Sequence, residues 1–92
     1  MKVCIVGYGG TISSLGHGPL DYVDYGDTGR KLDPAGLLEH FPEVAGEGEV
    51  IPVAWRAIGS PDMDVPDWLE LLVLLHDLPA RHPGLDGIVL TH

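Results

Sequence analysis

The stretch KVCIVGYGGTISS, residues 2–14, constrains this chain more than any other. Val3, Cys4, Ile5 and Val6 form a continuous apolar run, the pattern of a strand covered on both faces. The run stops at Gly7, and Gly9 and Gly10 follow. Glycines at this density let the backbone turn sharply and let another group come close. Thr11 then carries a hydroxyl just past the turn. In open α/β sheets, ligands bind outside the carboxyl ends of the strands. Thr11 is therefore the candidate nucleophile, and the remaining chain is read as its surroundings.

Other readings of these glycines are weaker. Gly7-Tyr8-Gly9 opens like a dinucleotide fingerprint, but Ile12 stands where the third small residue belongs. That fingerprint must also open a helix, which Ser13, Ser14, Gly16, Gly18 and Pro19 oppose. A phosphate-binding loop needs a closing Gly-Lys-Ser/Thr, absent here. A plain structural turn remains open on this stretch alone.

Residues 15–31 hold four glycines and a proline among polar residues and read as a loop. Loops of this length in small domains are usually functional lids or linkers, and Tyr22 and Tyr25 lie within it. Asp33-Pro34 marks a helix start, with Asp33 as the cap and Pro34 in the first turn. Leu37, Leu38 and Phe41 continue it until Pro42, and residues 46–48 read as a linker. Residues 50–58 read as a second strand, with Val53, Trp55 and Ala57 on one face and Ala54, Arg56 and Ile58 on the other. Pro52 argues for an edge position. Gly59-Ser60-Pro61-Asp62 ends the strand, so Ser60, like Thr11, lies just past a strand end.

Asp64 caps a second helix over residues 65–80. Trp68, Leu71, Leu72, Leu75 and Leu78 make its main apolar face, and Leu69, Val73 and Leu74 widen it. A helix so broadly apolar needs cover beyond the sheet, from further chain or a second subunit. Pro79 is expected to kink or end it. Residues 87–91 form a third apolar strand. Strand, helix, strand, helix, strand predicts an α/β fold with parallel pairing and right-handed crossovers. Three strands with an open edge make a poor domain, so the chain reads as the N-terminal part of a longer protein.

Charge narrows the partners. The 14 acidic residues outnumber 5 basic ones, for a net charge of −9. The cations are Lys2, Arg30, Lys31, Arg56 and Arg81, with no patch beyond one adjacent pair, which argues against nucleic acid. Cys4 is the only cysteine, so there is no disulfide framework or Cys-based zinc site. His17, His40, His76 and His82 lack a metal-ligand partner at useful spacing. No stretch approaches the ~20 apolar residues of a membrane span, and the first apolar run is short for a signal peptide. The expectation is a cytoplasmic protein without a membrane partner.

Three separated stretches then line up. GYGGTISS (7–14) resembles the T-G-G-T-I signature of bacterial L-asparaginases and asparaginase-glutaminases. IGSPDM (58–63) resembles their G-S-Q-D-M segment, and DGIVLTH (86–92) resembles the strand entering their H-G-T-D signature. The order and strand-end positions match over nearly the whole chain.

The resemblance implies a Rossmann-like or flavodoxin-like N-terminal α/β domain: an open parallel sheet with flanking helices, of which residues 1–92 are the first part. It implies a homo-oligomer, dimer or tetramer, and hydrolysis of the L-asparagine side-chain amide with no metal or organic cofactor. It assigns Thr11 as nucleophile, Tyr25 as the lid tyrosine assisting it (Tyr22 is the alternative), and Ser60 as a ligand of the substrate's α-carboxylate. Tyr8 stands for the usual first threonine and Pro61 for the glutamine after Ser60. Pro61 takes hydrogen-bonding capacity away from the substrate's carboxylate and amino end, which leaves open which amide is taken. Lacking the residues after His92, these 92 residues alone are expected to be inactive. A non-catalytic nucleotide- or amino-acid-binding module, and an ammonia-supplying subunit of an amidotransferase, are the competing functions.

Overall fold

The first apolar run becomes the middle of a three-stranded parallel sheet. The structure, a computed structural model, describes residues 1–92. Strand β1 (Lys2–Gly9) pairs with β2 (Glu49–Ile58) on one side and β3 (Gly87–Thr91) on the other. Helix α1 (Pro34–His40) lies between β1 and β2 in the chain, and α2 (Val65–Arg81) between β2 and β3. This is the expected α/β class, an open parallel sheet with flanking helices. Pro52 lies on the outer strand β2, where its missing N–H costs no ladder bond toward a further strand.

One core forms between β1 and α2. Cys4, Val6 and Tyr8 alternate onto one face of β1 and meet Leu71, Leu74 and Leu78 of α2. Ile51 and Val53 of β2 and Ile88 of β3 flank them. Burying a side chain such as Leu78 contributes about 1.5–3 kcal/mol. On the opposite face Pro34 is buried against Gly7. There Ile5, Leu37, Leu38 and Phe41 line an apolar groove of about 250 Å³. Both helices start as the sequence predicts. Asp33 Oδ1 accepts from the Gly36 N–H at 2.8 Å, and Asp64 and Asp67 cap each other reciprocally.

Several expectations are corrected. Strand β1 does not stop at Gly7 but runs to Gly9, because the Tyr8 side chain is fully buried and holds the strand in register with the core. The alternation along β2 slips. Arg56 reaches Asp67 and Glu70 of α2, and Ile58 packs on the same core as Val53. The cause is the irregularity opposite Gly7 to Gly9, where Gly7 pairs with Ala54 but Gly9 with Ile58.

Helix α2 is rotated from the expected face: Leu71, Leu74 and Leu78 are buried, while Trp68 and Leu72 are exposed along with Leu69 and Val73. Pro79 neither ends nor breaks it, since it lies one turn from the end and the His82 N–H still reaches the Leu78 carbonyl at 3.0 Å. The expected linker at 46–48 is mostly the end of a short 3₁₀ segment, Pro42–Glu47. No helix is long and apolar enough to cross a membrane.

Candidate active site

Gly9 and Gly10 have φ of 84° and 75°, a region that side chains with a Cβ disfavour. Their missing Cβ atoms also make room for neighbours. A Cβ on Gly9 would lie 2.5 Å from the Ile58 backbone, and one on Gly10 would overlap the His92 backbone. The Gly10 N–H donates to the Ile58 carbonyl at 2.8 Å. The ends of all three strands therefore converge on this corner.

Thr11 begins a single 3₁₀ turn, Thr11–Ser13, directly after the corner. Ser60 begins a second such turn, Ser60–Asp62, directly after β2. Because β1 and β2 are adjacent and parallel, the two turns emerge side by side. The first turn is tied down from below: Ser13 Oγ donates to the Gly9 carbonyl at 3.0 Å, and Ser14 Oγ to the Gly10 carbonyl at 2.9 Å.

Residues 15–31 return to this corner rather than trailing away. The Leu15 N–H donates to the Arg30 carbonyl at 2.9 Å, and the Leu32 N–H to the Ser13 carbonyl at 2.7 Å. Ser14 and Lys31 form an isolated antiparallel bridge. Within the loop, the Asp21 carboxylate accepts from the N–H groups of His17 at 3.0 Å, Asp24 at 2.8 Å and Val23 at 3.3 Å. These bonds, that of His17 foremost, hold its carboxyl below the usual carboxylate range.

The result is a cleft of about 330 Å³ whose wall includes Thr11, Tyr25, Ser60 and Pro61. All four site residues expected from the sequence border it. Tyr25 is half-buried in that wall, whereas Tyr22 is 76% exposed and lies outside it. Thr11 itself is exposed at the cleft. Ser14, Asp27, Lys31 and Asp62 also line it. No sequence motif assigns these four a role. Asp62 lies in the segment 58–63, but Lys31 is brought in by the folding back of a glycine-rich loop, which no local pattern signals.

Cys4 is not an alternative nucleophile. It is fully buried, and burial pushes its thiol pKa up. No group of three His, Cys, Asp or Glu side chains is placed to hold a metal ion.

The family model for the N-terminal domain of asparaginases matches residues 2–92. The chain belongs to the asparaginase family. No curated protein and no solved structure matches it. In this asparaginase domain, Tyr8 of the first motif is a strut: its hydroxyl donates to the Asp67 carbonyl at 2.7 Å, and its ring meets that of His92 edge-on at 6.2 Å. The altered first motif residue thus faces the core, away from the cleft.

Proposed function

We propose that the cleft is the amide-hydrolysing site of an asparaginase-type enzyme that converts L-asparagine to L-aspartate and ammonia. The reading is supported by one observation above others: Thr11, Tyr25, Ser60 and Pro61, drawn from three separate stretches, border a single cleft. Thr11 Oγ1 attacks the side-chain amide carbon. A threonine hydroxyl is a weak nucleophile until its proton is accepted. Tyr25, whose hydroxyl both accepts and donates, relays that proton to the departing nitrogen. The C–N bond breaks, ammonia leaves, and a threonine ester of aspartate remains. Water adds to the ester and returns the proton to Thr11. Ser60 donates to the substrate's α-carboxylate, and Pro61 forms wall without adding a donor.

The α-carboxylate, α-ammonium and amide of the substrate match a cleft that holds hydroxyls, an ammonium and two carboxylates. The exposed side chains Trp68, Leu69, Leu72 and Val73 on α2 support the further reading that the protein is a homo-oligomer, dimer or tetramer. The domain assignment, as the first part of the N-terminal asparaginase domain, and a cytoplasmic location belong to the same proposal. Ammonia release from L-asparagine, measured on the chain and on a version extended by the rest of an asparaginase, tests the activity. Release that Thr11→Val abolishes supports it; equal release by Thr11→Val overturns the assigned nucleophile.

A further inference from the structure

We infer that Lys31 is a specificity-determining residue that binds the α-carboxylate of the substrate, an inference that rests on the amidase reading of the cleft. Of the five cations in this chain of net charge −9, only Arg56 has a carboxylate partner, so position and not pairing distinguishes Lys31. Arg56 is paired with Asp67 and Glu70, and these are the two salt bridges of the chain. Lys31 has no carboxylate partner, yet it is half-buried. It is the only lysine or arginine that lines the cleft.

Its ammonium is held in place rather than left to wander. The Ser14–Lys31 bridge fixes the backbone beside the Thr11 turn. Lys31 Nζ donates to Ser14 Oγ at 2.8 Å, and Ser14 is itself part of the cleft wall. An ammonium has three donors, and Ser14 takes one. Asp27 and Asp62 line the same cleft, so without Lys31 its charged side chains would all be negative and would repel a carboxylate. With Lys31 the cleft carries one positive and two negative groups, complementary to a zwitterion. Pro61 strengthens the case, because the residue after Ser60 offers neither a side-chain donor nor an N–H.

The test compares two ligands that differ only in the α-carboxylate: L-asparagine and β-alaninamide. Their binding is measured by calorimetry on a Thr11→Val background, which prevents turnover. Lys31→Met should weaken L-asparagine by about tenfold or more, the scale of a lost charge-assisted hydrogen bond, and leave β-alaninamide unchanged. Lys31→Gln, which retains a donor for Ser14, should behave like Lys31→Met.

Equal weakening of both ligands means that Lys31 merely supports the loop, and overturns the inference. So does an unchanged affinity for L-asparagine, or no binding of L-asparagine to the parent. The amidase reading is judged separately, by ammonia release from the Thr11 protein. A carboxylate-dependent effect of Lys31 without turnover would defeat that reading and leave this one standing.

Discussion

The hydroxyl of Tyr8 donates to the main-chain carbonyl of Asp67 at 2.7 Å, inside the core. One bond thus ties the central strand, just before the glycine corner, to the first turn of α2. Tyr8→Phe keeps the ring and removes only this bond. It should cost about 1 kcal/mol of unfolding free energy, read by urea denaturation, and leave ligand binding in the cleft intact.

Asp67 also carries the pH dependence of this junction. Its bonds with Asp64, and then the nearby Arg56 guanidinium, hold its carboxyl below the usual carboxylate range. A carboxyl with a depressed folded pKa binds its proton more readily in the unfolded chain. Its contribution is therefore present above the unfolded value of about 4 and is lost as pH falls toward the lower folded value. Asp67→Asn should lower stability at neutral pH and flatten the loss between pH 4 and lower values, in denaturation curves taken across that range. Asp21 is shifted in the same direction, so the slope should shrink and not vanish.

The glycine corner tolerates no side chain. Gly9→Ala would force a Cβ to within 2.5 Å of the Ile58 backbone at a φ of 84°. Strain of this kind costs on the order of 1–3 kcal/mol, and the clash adds to it. A drop in the denaturation midpoint larger than that of Tyr8→Phe is expected.

The exposed face of α2 bears on assembly. Leu69 and Leu72 are 58% and 61% exposed, so replacing both with lysine removes no core contact. If the chain assembles through this face, light scattering should report a smaller particle for the double variant at unchanged helix content. An unchanged mass would place the subunit contact elsewhere.

Much of this was legible in local pattern. The parallel order, both caps, the edge position of Pro52 and the strand-end positions of Thr11 and Ser60 each follow from a run, a cap or a breaker. What was not legible depends on tertiary contact. Tyr8 extends β1 past Gly7 because its side chain finds α2, which composition does not reveal. The face that α2 turns inward is not its richest apolar stripe, and Asp67 on the inward face meets Arg56 across from β2. Lys31 enters the cleft through hydrogen bonds between loop ends far apart in sequence. Thr11 and Ser60 are legible as positions because topology dictates strand ends in a parallel sheet, whereas Tyr25 and the roles of Ser60 and Pro61 come only through the family resemblance. Lys31 and Asp27 carry no such signal, because loops answer to no period.

The proposed reaction passes through a covalent bond between Thr11 Oγ1 and the substrate's acyl carbon. The direct measurement is acid quench of the L-asparagine reaction within its first turnovers, followed by peptide mapping by mass spectrometry. An aspartyl ester on the tryptic peptide of residues 3–30, localised to Thr11 by fragmentation and absent from Thr11→Val, is the predicted result. Ammonia release with no ester on Thr11, or with the ester on another residue, would contradict the account.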